Sequence, residues 1–140
     1  MKAVVSAAGL LAIALWAQGT RSVRDGVYTQ DQAKQGHDLY SQHCAVCHGG
    51  NLEGGEEAPA LAGGDFISNW NGLTVGDLFE RIRTTMPQNK PQSLSREVCA
   101  TILAFILSSN KFPPGETELS SQTEQLKLIR IDAPKSDQKH

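Results

Sequence analysis

The sequence predicts an all-α fold of three to four short helices with an extended C-terminal strap. Three observations carry that prediction. Val98, Ile102, Phe105 and Ile106 form one helical stripe. Ala33, Gly36, Leu39 and Tyr40 recur at helical spacing nearer the N-terminus. Between and beyond these stripes, Gly49–Gly64, Pro87 and Pro113–Pro114 cut the chain into short segments, with few strand patterns and no internal repeat.

The first element reads as an export signal over residues 1–19. Lys2 is a minimal positive start, Ala3 to Trp16 is mostly apolar, and Ala17-Gln18-Gly19 places small residues where a signal peptidase reads. The apolar run is shorter than the roughly 20 residues that span a bilayer. Cleavage and a periplasmic location are therefore the expectation, with a membrane anchor facing the periplasm as the alternative. No cysteine follows the run to take a lipid.

Residues 20–31 are polar and are expected to be a flexible lead-in, and residues 32–112 to be the domain proper. Its first helix covers about 32–42, with Asp31 as N-cap. Gly49–Gly64, which contains Pro59, reads as a loop. Thr74 can cap the next helix, with Asp77 as capping-box partner and Leu78, Phe79 and Ile82 on its apolar side, and Pro87 stops it. The last helix opens at Ser95, has Glu97 in its first turn, and ends where Asn110 suits a left-handed turn before Pro113–Pro114. Residues 113–140 form a polar extension whose Leu126, Leu128, Ile129 and Ile131 predict a short strand or strap.

At 140 residues the chain has room for one small domain. A net charge of −2, falling to −3 when Lys2 is lost with the signal, argues against nucleic acid as the main partner. Cysteine usage is more informative. Cys44 and Cys47 are close and Cys99 stands alone, so a plain disulfide framework does not fit.

The chemistry concentrates in Cys44-Ala45-Val46-Cys47-His48. Two thiols separated by two residues can add to both vinyl groups of one haem, and the adjacent histidine is then held beneath the iron. A thioredoxin-like pair would want a βαβ surround, and the flanks here are a helix and a glycine loop. A zinc site from Cys44, Cys47, Cys99 and a histidine lacks the spacing of a second ligand pair. A Cys44–Cys47 disulfide leaves His48 unexplained. Covalent haem is the reading that uses all three residues.

A haem needs a second axial ligand, and Met86 is the one methionine left after signal removal. Alone, it would be read as core packing. Its neighbour Pro87 restricts it to extended backbone, which suits a loop presenting a thioether, and methionine with histidine is a standard axial pair. His43 abuts Cys44 on the wrong side to reach the opposite face, and His37 and His140 read as solvated.

Gly36, Tyr40, Cys44, Cys47 and His48, with Ile102 and Phe105, resemble the N- and C-terminal helices and the haem site of class I mono-haem cytochromes c. The resemblance spans about residues 33–112. It implies that Gly36 lets the two helices cross closely and that the Pro59 carbonyl accepts the other ring proton of His48. It also identifies Thr85-Met86-Pro87 with the methionine loop. The stretch Trp70–Met86 with Asn110-Lys111-Phe112-Pro113 is similar to small cytochromes associated with bacterial quinoprotein alcohol dehydrogenases. Cys99 departs from that pattern and is expected to pack as a small hydrophobe.

The expected function is single-electron transfer by one haem c rather than independent catalysis, since no acid–base dyad, nucleophile triad or nucleotide loop is present. Partners would be a dehydrogenase donor and an oxidase or cytochrome acceptor, whether the chain is free or a subunit of an oxidoreductase. The alternative is a haem ligand-binding or sensor protein with a labile Met86. Leu61, Phe79, Ile82 and Leu103 are candidates to wall the macrocycle, and Trp70 with Arg81 or Arg83 to hold its propionates. Seven acidic residues and no Lys or Arg lie between Gln35 and Glu80, against five basic ones and Glu97 from Arg81 to Lys111. That asymmetry predicts a locally positive methionine side.

Overall fold

The computed structural model describes residues 21–133. The expected signal at 1–19, and residues 134–140 with His140, lie outside the described residues.

Helix α1 (Gln30–His43) begins at Thr29, whose Oγ1 accepts the Gln32 N–H at 3.1 Å. Asp31, expected as the cap, instead occupies the exposed first turn, where a carboxylate still favours the positive helix end. A one-turn helix α2 (Ala45–His48) follows, then α3 (Gly64–Trp70). Helix α4 (Val75–Thr85) is capped by the expected box: Thr74 Oγ1 accepts from the Asp77 N–H at 3.1 Å, and Asp77 accepts from the Thr74 N–H at 2.9 Å. Helix α5 (Arg96–Ser109) starts at Ser95, whose hydroxyl accepts the Val98 N–H at 3.1 Å.

The end of α5 differs from the expectation. Asn110 is not left-handed (φ −91°), and Lys111 takes that conformation instead (φ 67°). The Phe112 N–H reaches the Leu107 carbonyl at 3.2 Å and the Lys111 N–H reaches that of Ser108 at 3.0 Å, a Schellman closure one residue later than predicted. Asn110 stays in line because its side chain is used inside the protein.

Helices α1 and α5 cross at Gly36. A Cβ there would collide with the Thr101 carbonyl oxygen and stand 2.8 Å from Phe105 Cβ, so only glycine allows this approach. Phe105 packs on Tyr40, with ring centroids 5.2 Å apart. Tyr40, Phe66, Phe79, Ile102, Leu103, Ile106 and Leu107 are buried in the core.

The described part of the lead-in is not the flexible segment expected. Val23, Val27 and Tyr28 are buried, the Tyr28 hydroxyl donates to the Phe112 carbonyl, and the Gly115 N–H donates to the Tyr28 carbonyl at 2.7 Å. Strand β1 (Arg21–Ser22) pairs in parallel with β2 (Ile129–Arg130), Arg21 opposite Ile129. Burial of three apolar side chains offsets the entropy of ordering the segment.

The described part of the extension likewise packs into the core. Leu119, Leu126, Ile129 and Ile131 are buried, a short helix α6 (Thr123–Leu126) precedes β2, and the Gln32 side chain exchanges two hydrogen bonds with the Leu119 backbone at 3.1 and 2.7 Å.

Candidate haem site

The Cys44–His48 motif is placed by the end of α1. The Cys44 N–H still bonds the Tyr40 carbonyl at 2.8 Å, and its own carbonyl accepts the His48 N–H at 3.0 Å, opening α2. Cys44 and His48 are thus one turn apart on the same side of α2. Tyr40 steadies the exit, its hydroxyl donating to the Gly49 carbonyl at 2.6 Å. Cys44 is half-buried and Cys47 exposed, so the two thiols lie at the border between core and solvent. Burial, then the nearby Cys99 and Cys47, pushes the Cys44 thiol up to about 11.

His48 is buried, and its Nδ1 lies 2.8 Å from the Pro59 carbonyl oxygen. A carbonyl only accepts, so Nδ1 carries the proton and Nε2 keeps the lone pair a metal needs. The chain returns to place Pro59 through a compact loop. The Gly54 N–H donates to the His48 carbonyl at 2.7 Å, the Gly55 N–H to Ala58 at 2.8 Å, and the Leu61 N–H to Leu52 at 2.9 Å. Gly54 has φ 74°, and a Cβ on it would stand 2.5 Å from the Ala60 nitrogen. The loop closes only with glycine there.

Met86 is the C-cap of α4, extended at φ −115°, ψ 148°, as a residue before proline must be. Its N–H bonds the Ile82 carbonyl at 3.0 Å, and its side chain is partly buried against the core. Phe79 and Leu103 are fully buried, Ile82 nearly so, and Leu61 half-buried.

The expected propionate donors are placed unequally. Trp70 closes α3, partly buried and 6.5 Å from the Phe66 ring, and Arg81 is exposed on α4. Arg83 is paired on its own helix: its Nε and Nη2 donate to Glu80 at 3.1 and 2.7 Å. Cys99 is buried and its thiol raised by that burial, in keeping with a packing role.

Sequence reasoning missed α3 and the bracing of the Pro59 loop. Asp65 followed by Phe66, Ile67 and Trp70 at helical spacing was the available signal for α3, masked by glycines at its start. The bracing depends on Asn110, which carries no local signature.

These side chains fit a covalently held haem. Cys44 and Cys47 would carry the thioether bonds, His48 offers Nε2, and Met86 offers a thioether from a separate element. Among the described residues, no group of three or more His, Cys, Asp or Glu side chains could hold a metal ion, so the zinc alternative finds no ligand set there. No described helix is long and apolar enough to cross a membrane.

Comparison with known proteins bears on the family and the fold. A family model described as cytochrome c oxidase, cbb3-type, subunit III matches residues 31–106. No curated protein matches the chain. Among solved structures, the chain is similar to one of the sulfane dehydrogenase SoxCD from Paracoccus pantotrophus. The TM-score is 0.51 and the identity 24%, over 82% of this chain and 61% of that one. That likeness concerns the fold, and the chain spans under two thirds of its length. Since the family model covers more than half of the 140 residues, with the Cys44–His48 motif inside it, the chain belongs to that family of c-type cytochrome domains, which bind haem c covalently and carry electrons.

Proposed function

We propose that His48 and Met86 are the two axial ligands and that the protein works in the periplasm, passing single electrons from a dehydrogenase to a respiratory acceptor. The chain would act alone or as a subunit of the donor complex. The observation that carries the ligation is the bond from His48 Nδ1–H to the Pro59 carbonyl, which leaves Nε2 as the metal-binding nitrogen. When bound, the haem supplies a one-electron ferrous–ferric couple. The residues do the rest. Cys44 and Cys47 would hold the cofactor covalently, Met86 would offer it a neutral sulfur that favours the ferrous state, and Phe79, Ile82 and Leu103 would help exclude water.

The dehydrogenase donor is supported by the sequence likeness in Trp70–Met86 and Asn110–Pro113 to cytochromes that serve quinoprotein alcohol dehydrogenases. Docking to an acidic partner face would use fewer charges than the sequence count implies. Arg83 and Arg96 both face Glu80, at 2.7 and 3.9 Å, which leaves Arg81, Lys90 and Lys111 exposed.

The test is Met86→Ala in matured, haem-loaded protein. Loss of the weak long-wavelength thioether band of the ferric form, with carbon monoxide binding gained, supports His/Met ligation. An unchanged ferric spectrum refutes it, and carbon monoxide binding by the wild type would favour the sensor reading. Recovery of the mature protein from the periplasm, with its N-terminus near residue 20, tests the location.

A further inference from the structure

Asn110 ends α5 with 7% of its surface exposed, and its side chain is directed at one loop. Its Oδ1 accepts the Gly63 N–H at 3.0 Å. Its Nδ2 donates to the Leu61 carbonyl at 2.9 Å and to the Ile106 carbonyl one turn back, also at 2.9 Å. The helix end does not require this, because the backbone of Lys111 and Phe112 already closes it.

The loop that Asn110 grips is the one that carries Pro59. Leu61, two residues beyond, is held on both sides: its N–H by the Leu52 carbonyl and its carbonyl by Asn110. Leu52 in turn belongs to the segment that follows His48, whose own carbonyl is held by Gly54. The His48 segment, the Pro59 loop and the end of α5 are therefore joined at one residue, Leu61. Without Asn110, the Pro59 loop would keep its bonds to the His48 segment but lose its attachment to the helix. Asparagine is the side chain that meets both needs here. An aspartate would leave the Leu61 carbonyl without a donor, whereas the Ile106 carbonyl keeps the residue-110 backbone N–H at 3.1 Å, and a leucine would leave the Gly63 N–H without an acceptor as well.

We infer that Asn110 is a positioning residue for the axial imidazole, holding the Pro59 carbonyl at hydrogen-bond distance from His48 Nδ1 through Leu61 and Gly63. This rests on the reading of His48 as the iron ligand. A carbonyl bonded to Nδ1–H makes the ring a stronger electron donor and favours the ferric state. Loosening that bond weakens the donation and raises the reduction potential.

The experiment compares haem-loaded wild type, Asn110→Ala and Ile129→Val. Ile129 is buried in β2, whose strand partners are β1 and Thr74, so its truncation lowers stability away from the Pro59 loop. Each protein is titrated for reduction potential, and the His48 ring protons are followed by NMR. Asn110→Ala is expected to shift the ferrous-to-ferric ratio at fixed ambient potential three- to tenfold towards ferrous; tenfold corresponds to about 59 mV for one electron. It should also speed solvent exchange of the His48 Nδ1 proton, while Ile129→Val changes neither. Unchanged potential and exchange in Asn110→Ala, or an equal shift in Ile129→Val, overturns the inference. If Asn110→Ala does not accumulate, wild-type amide exchange decides: Gly63 should be protected like the interior of α5, and exchange as fast as the exposed Glu56 amide overturns the idea. A His48 ring without iron-induced shifts would instead bring down the ligation reading itself.

Discussion

The Thr123 hydroxyl donates to Glu80 Oε1 at 2.5 Å, joining α4 to a segment 43 residues further along the chain. Arg96 completes the junction. Its Nη2 donates to Thr123 Oγ1 at 2.5 Å, its Nε to the Ser121 carbonyl at 3.0 Å, and its guanidinium lies over the Phe79 ring. Helix α4, which leads into Met86, is thus fastened to both α5 and the extension.

That junction sets a pH dependence. The hydrogen bonds from Arg83, then that from Thr123, hold the Glu80 carboxyl down at about 2 from its usual 4.5. A depressed carboxyl contributes stability that is present above the unfolded value and is lost as pH falls through the folded one. Glu80→Gln should therefore be less stable than wild type at neutral pH, and the gap should close between about pH 4.5 and about pH 2. Because the side chain is partly exposed, solvent screening reduces the contribution to about 1 kcal/mol. Denaturant midpoints measured across that range check it.

Leu126 tests whether the extension is core or accessory. It is fully buried, so Leu126→Ala should cost about 2–5 kcal/mol, as a core truncation does. A loss below about 0.5 kcal/mol in chemical denaturation would show that the extension is dispensable.

Lys111 holds φ 67°, where a Cβ is disfavoured, in a position glycine normally fills. Lys111→Gly should leave the fold intact and be neutral or stabilise it by up to about 1 kcal/mol. Thermal melts of the two proteins decide this, and a large loss would contradict the closure described.

At Gly36 the opposite outcome is expected. Alanine gains helix propensity, about 1 kcal/mol, but its methyl collides with the Thr101 carbonyl oxygen and Phe105. Since backbone must move, Gly36→Ala should lose about 1–3 kcal/mol net in chemical denaturation.

What was legible in the sequence was what neighbouring residues decide. Thr74 with Asp77 and Ser95 with Val98 cap their helices within four residues, and Pro87 alone constrains Met86, so local chemistry sufficed. Cys44, Cys47 and His48 were readable for the same reason. Asp31 was mistaken for a cap because Thr29, two residues earlier, is also a capping residue, and it is the Thr29 hydroxyl that accepts the Gln32 N–H. The hold of Thr123 on Glu80, the partner of Arg83, was not legible, because it comes from a segment 43 residues away. Tyr28 and Asn110 were likewise opaque: each bonds to backbone more than forty residues away.

The β1–β2 ribbon makes the lead-in and the extension depend on each other. The Arg21 amide donates to the Leu128 carbonyl at 2.8 Å, across more than a hundred residues of sequence. The two segments therefore come loose together, since cutting either one takes away the other's strand partner.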